Sequence, residues 1–129
     1  MDAIFLNGGI VESKWMQRYI GPYKIAHWIR RHGYEAQVID YIERTTKERL
    51  YKMIKRFITN KTKVLGVACT FMSTTQFEWS DGTKTILPEH VVLAVKQIKQ
   101  EYPNIKVVVG GYMSDKIPNF DIFDASVMS

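Results

Sequence analysis

Short apolar runs recurring between amphipathic stretches constrain this chain more than any other feature. Asp2-Ala3-Ile4-Phe5-Leu6, Ala36-Gln37-Val38-Ile39-Asp40, Val64-Leu65-Gly66-Val67-Ala68-Cys69 and Ile105-Lys106-Val107-Val108-Val109 are apolar at most positions. Runs of that kind read as strands covered on both faces, as in parallel sheets, because a half-exposed strand would alternate. A fifth candidate, Ala125-Ser126-Val127-Met128, follows near the end of the sequence.

The stretches between them carry helical signals. Gly21-Pro22 opens a first helix, since a proline early in a helix loses no hydrogen bond. Ile25, Trp28 and Ile29 are expected on its inner face, and His32-Gly33 closes it with a glycine cap. Thr45-Thr46-Lys47-Glu48 reads as a capping box, with Thr45 as the cap, followed by Leu50, Met53, Ile54, Phe57 and Ile58 at helical spacing. Pro88 opens a third helix with Val91, Ala94, Val95 and Ile98 inward. Between the third strand and this helix, Trp79-Ser80-Asp81-Gly82-Thr83 reads as a turn with its own short strands, an insertion over about 76–86. A loop from about residue 10 to residue 20 follows the first strand. The pattern is that of a doubly wound α/β fold, Rossmann- or flavodoxin-like, with helices on both faces of a parallel sheet and right-handed crossovers.

At 129 residues the chain is expected to form one domain spanning 1–129, with no internal repeat and no linker. Its single cysteine, Cys69, excludes an internal disulfide and an iron–sulfur cluster built from this chain alone. No apolar run is long enough to cross a bilayer and no signal peptide heads the sequence, so a cytoplasmic location is expected. The net charge of +5 raises the question of nucleic acid. Lys47, Arg49, Lys52, Lys55, Arg56, Lys61 and Lys63 cluster in one stretch, but on the polar side of a well-formed amphipathic helix. A solvated face explains them without a nucleic-acid partner.

Ligands of parallel α/β sheets sit at the carboxyl ends of the strands. Three segments would meet there. Asn7, Gly8 and Gly9 follow the first strand; Thr70, Phe71, Met72, Ser73, Thr74 and Thr75 follow the third; Gly110, Gly111, Tyr112 and Met113 follow the fourth. Two glycine pairs and a row of hydroxyls leave exposed backbone and small polar groups, which a large flat or branched ligand can approach closely. Other ligands of this topology are disfavoured. A phosphoacceptor domain needs an acidic pair where Asn7 stands and an aspartate where Cys69-Thr70 stand, and a dinucleotide site needs G-x-G-x-x-G opening a helix directly. A threonine-dense phosphate loop after the first strand is also missing.

In this order, "GPYKIAHWIRRHGYEAQVIDY", "VLGVACTFMSTT" and "IKVVVGGYMSD" resemble the cobalamin-binding domain at the amino terminus of cobalamin-dependent radical SAM enzymes. The resemblance covers nearly the whole chain apart from the Trp79 insertion. It implies a five-stranded parallel sheet in the order 2-1-3-4-5, with the corrinoid across the carboxyl ends and its nucleotide tail passing the third and fourth strands. It further implies that Thr70, Phe71, Met72, Ser73, Thr74, Gly110 and Gly111 line the tail channel. Asn7, Gly8, Gly9, Tyr112 and Met113 would lie nearer the ring.

Two departures qualify what the resemblance implies. Methionine-synthase-type domains carry D-x-H-x-x-G in the first loop, and here Met16 and Arg18 occupy the aspartate and histidine positions before Gly21. His27, His32 and His90 fall in helices or at their ends, so no protein imidazole is expected on cobalt and no metal-ligating residue is assigned. The C-x-x-x-C-x-x-C cluster motif is missing too, so a radical SAM domain, with S-adenosylmethionine and an iron–sulfur cluster, is expected in cis beyond Ser129 or in trans. Cys69 reads as a small core residue and lacks a basic neighbour that would make it a nucleophile. Trp15, Met16 and Trp28 read as packing residues before corrinoid shields.

The expected function is therefore a cobalamin-binding module, without catalysis of its own, that presents a corrinoid to a radical SAM domain for methyl transfer or rearrangement. Two alternatives stand beside it. Gly21 and Ala26 match the G-x-x-x-x-A helix start of the amino-terminal half of a two-domain sugar-nucleotide transferase. A ligand-free interaction domain of the same fold would use the basic helix and the Trp79 insertion as contact surfaces.

Overall fold

The computed structural model describes residues 1–10, 17–18, 20–68, 77–85, 87–110 and 122–127. Five strands form one parallel sheet: β1 (Ala3–Leu6), β4 (Ala36–Ile39), β5 (Val64–Ala68), β8 (Lys106–Gly110) and β9 (Ala125–Val127). Two antiparallel ribbons lie outside it, β2 (Gly9–Ile10) with β3 (Gln17–Arg18), and β6 (Phe77–Glu78) with β7 (Lys84–Thr85). The helices are α1 (Gly21–Arg31), α2 (Lys47–Phe57) and α3 (Glu89–Glu101).

The sheet order is β4-β1-β5-β8-β9. With every strand numbered it reads 4-1-5-8-9 in place of 2-1-3-4-5, because the two ribbons are inserted between strands of the sheet. The β6/β7 ribbon is the expected Trp79 insertion, closed by Gly82 at φ 87° and anchored by the Trp79 indole N–H on the Leu87 carbonyl. The β2/β3 ribbon occupies part of what reads in the sequence as a plain loop, since two-residue strands leave no periodic signal.

The helices divide between the two faces. From β1 the chain moves outward to β4, then returns past β1 to β5 and on to β8. Crossovers of one hand then require the first helix on the face opposite the next two. Ala26 of α1 accordingly packs with Ala3, Ala36 and Val38, while Leu50 and Ile54 of α2 and Val91, Val95 and Ile98 of α3 pack with Ile4, Leu6, Leu65, Val67, Val107 and Val109.

Burial corrects the expectation of strands covered on both faces. Val107 and Val109 are buried under α3, but Lys106 is exposed and Val108 and Gly110 only half-buried on the opposite face. Val64 and Ala68 of β5 are likewise half-buried there. Among the described residues α1 is the helix on that face, and it packs chiefly on β4 and β1.

The inner face of α1 differs from expectation as well. Pro22 and Ala26 are its buried residues and Ile29 is half-buried, whereas Ile25 and Trp28 are 50% and 62% exposed. Small residues let the helix approach the alanine-rich β1/β4 surface, which leaves no room for an indole. Gly33 takes the left-handed conformation expected of the cap, with φ 88°. At α2 the cap is Thr46, whose hydroxyl accepts from the Arg49 N–H at 3.2 Å, and not Thr45. Thr45 instead closes the 3₁₀ turn Ile42–Arg44, donating its hydroxyl to the carbonyls of Ile42 and Thr46. Lys52, Lys55 and Arg56 lie exposed on the outer side of α2.

Candidate functional site

Adjacent strands β1 and β5 send their chains in opposite directions, β1 toward β4 and β5 toward β8. The carboxyl ends of β1 and β5 therefore mark the switch point of the strand order, where ligands of α/β sheets bind.

The β1 side of this switch point is held by a polar knot. Asn7 is wholly buried and its side-chain amide donates to Asp40 Oδ1 at 3.0 Å, while the Tyr23 hydroxyl of α1 donates to Asp40 Oδ2. The Asn7 N–H donates to the Ile39 carbonyl and the Asn7 carbonyl accepts from the Ile42 N–H, so backbone bonds bracket the same point. Between them Tyr41 adopts φ 55°, a left-handed conformation that costs a side-chain-bearing residue about 1–2 kcal/mol. The knot holds the turn in that shape. Beyond it the His90 Nε2 donates to the Ile42 carbonyl at 2.8 Å, tying α3 to the turn after β4.

Of the residues singled out in the sequence, Asn7 thus serves as an anchor facing Asp40, with Gly8 buried beside it. Gly9 enters the β2/β3 ribbon opposite Arg18. Gly110 ends β8 directly across from Ala68, the last residue of β5. These positions all lie at the carboxyl edge, as expected. Thr70, Phe71, Met72, Ser73, Thr74, Gly111, Tyr112 and Met113 fall outside the described residues, as do Cys69, Trp15 and Met16. The sequence reading missed Asp40 and Tyr23. Asp40 directly follows a strand, where an acid commonly reaches a ligand; here both its oxygens accept bonds from Asn7 and Tyr23 instead.

The edge can be tested against a corrinoid. Ala68 and Gly110 are register partners at the ends of β5 and β8, both half-buried and neither with a side chain larger than a methyl group. The next row is Phe5, Gly66 and Val108, where the Phe5 ring lies against Gly66 and closes the column from below. Metal ligation finds no support among the described residues: none group as three or more His, Cys, Asp or Glu side chains fit to hold an ion. His27 is exposed on α1, and His32 stacks on Trp28 with ring centroids 4.1 Å apart. The separation of β1 from α1 by the β2/β3 ribbon also removes the direct strand-to-helix turn on which dinucleotide phosphates rest.

No family model, curated protein or solved structure matches the chain.

Proposed function

We propose that the chain is a cobalamin-binding module that presents its corrinoid to a radical SAM domain in cis or in trans. The observation carrying this reading is the pairing of Ala68 with Gly110 at the carboxyl ends of β5 and β8, next to the switch point of the strand order between β1 and β5. A column of small residues at that point suits the tail, and the Asn7–Asp40–Tyr23 knot fixes the β1 side against which the ring would rest. Cobalamin, when bound, supplies a cobalt centre able to carry an alkyl group; this chain's residues bind and orient it. Methyl transfer or rearrangement, with S-adenosylmethionine and an iron–sulfur cluster, would belong to the complete enzyme.

Equilibrium dialysis of the purified chain with hydroxocobalamin tests the reading. Weak but saturable retention is expected, and the EPR spectrum of the bound cob(II) form is expected to lack histidine nitrogen coupling. No retention at high micromolar cofactor overturns the assignment in favour of a transferase half or a ligand-free interaction domain.

A further inference from the structure

Among the described residues the parallel sheet ends on one side at β4. Register fixes which of its backbone groups point outward. The Ala3 N–H donates to the Glu35 carbonyl and the Asn7 N–H to the Ile39 carbonyl, so in this parallel pair residues 35, 37 and 39 address β1. Ala36 and Val38 therefore turn their carbonyl and N–H groups to the open side. Such a row is the template on which a strand of another molecule adds.

Both outward carbonyls are occupied by side chains of the chain itself. Arg30 of α1 donates from Nε at 3.1 Å and from Nη2 at 2.6 Å to the Ala36 carbonyl. The Gln37 side-chain amide donates from Nε2 at 3.0 Å to the Val38 carbonyl. The two caps come from opposite faces of the sheet. Ala36 and Val38 pack with Ala26 of α1, so Gln37 between them shares the face of Ile39, which packs with Leu50 and Ile54 of α2. A strand approaching in the plane of the sheet would meet a guanidinium on one carbonyl and an amide on the next.

The helix dipole does not account for Arg30. A cation in the last turn is favourable wherever its side chain points, and Arg31 supplies one while staying exposed. Arg30 lies about 40° round the helix from buried Ala26 and turns its guanidinium onto the strand. The strand, for its part, has no other protection of its own. Ala36-Gln37-Val38-Ile39 contains neither charge nor proline, the devices that commonly blunt an edge. We propose that Arg30 and Gln37 close the β4 edge against strand addition, keeping it from pairing with the same edge of a second copy of the chain. The closure involves no ligand and holds with or without cobalamin.

The double variant Arg30→Ala/Gln37→Ala removes both caps, at an exposed and a half-buried position that tolerate alanine. In sedimentation velocity at equal high concentration, its average mass is expected to exceed that of the native chain about twofold or more. Hydrogen exchange on the same samples locates the contact: the Ala36 and Val38 amide protons are expected to exchange at least about tenfold more slowly in the associated variant than in the native chain. Arg31→Ala removes the same charge beside the cap, and Gly33→Ala strains the same end of α1, so both are expected to sediment as the native chain does. Each single cap variant is expected to associate more weakly than the double one, which supplies the readout if the double variant unfolds. Folded cap variants that sediment like the native chain overturn the proposal. So does equal association of Arg31→Ala or Gly33→Ala, which assigns the effect to charge or to stability. Association that leaves the Ala36 and Val38 protons unprotected overturns it as well, because the contact then lies elsewhere.

Discussion

The Phe5 ring lies so close to Gly66 of the adjoining strand that a β-carbon at Gly66 would stand 2.6 Å from Cδ1 and 3.0 Å from Cε1. The two residues are direct register partners in β1 and β5. Glycine here makes room for a neighbour's ring rather than for a turn. Gly66→Ala is expected to destabilise by about 1–3 kcal/mol, the range of overpacking. In a Phe5→Ala background the same change is expected to be neutral or stabilising by up to about 1 kcal/mol, since alanine orders more cheaply than glycine in a strand. Urea unfolding of the four-member cycle measures the coupling. An equal cost in both backgrounds would mean the ring is not the cause.

Thr46, not Thr45, accepts a free N–H of the first turn of α2, that of Arg49. Thr46→Ala is therefore expected to cost about 1 kcal/mol, and Thr45→Ala distinctly less. The difference arises because Tyr41 and the 3₁₀ turn Ile42–Arg44 consume one more residue than the sequence pattern suggests. Parallel denaturant titrations of the two variants should rank them in that order, and the reverse ranking would restore the capping box at Thr45.

Asp124 links three elements at the sheet edge. Its Oδ2 accepts the Val107 N–H at 2.7 Å and the Lys99 ammonium at 2.9 Å, and its own N–H donates to the Val107 carbonyl. The Val107 N–H first, then Lys99, hold its carboxyl below the usual aspartate range. The stability this contributes is present above the unfolded value of about 3.9 and is lost as pH falls through the lower folded value. Asp124→Asn is accordingly expected to lower the melting temperature at neutral pH, with the gap to the native chain closing below about pH 4. A gap that stayed constant down to about pH 2 would refute the linkage.

Much of the fold was legible in the chain because strands of the sheet and faces of helices leave periodic marks. Leu50 and Ile54 repeat at helical spacing and are buried where expected, as are Val91, Ala94, Val95 and Ile98. Coverage was not legible. Val108 reads the same whether or not a helix lies above it, and Ile25 and Trp28 read as an inner face although smaller Pro22 and Ala26 take that role. At the site, glycines marked the edge, since Gly110 ends β8 as the strand pattern implies. The Asn7–Asp40–Tyr23 knot left no local signal, because its members are joined through space across 17 and 33 positions.

The last test concerns Gly110, opposite Ala68 at the mouth of the proposed column. If this glycine merely ends a strand, Gly110→Val changes stability alone. If a ligand tail passes between β5 and β8, the isopropyl group occupies ligand volume, and binding falls even where the fold survives. Gly33→Ala is the control: it lies after α1, away from the carboxyl edge, and its φ of 88° makes alanine strained there by about 1–2 kcal/mol. A domain of ordinary stability, about 5–15 kcal/mol, tolerates a penalty of that size. Thermal unfolding and hydroxocobalamin titration on both variants separate the effects. Both are expected to fold with lowered melting temperatures, and only Gly110→Val is expected to lose the cofactor. Retention of cobalamin by a folded Gly110→Val chain would remove the column from the binding site.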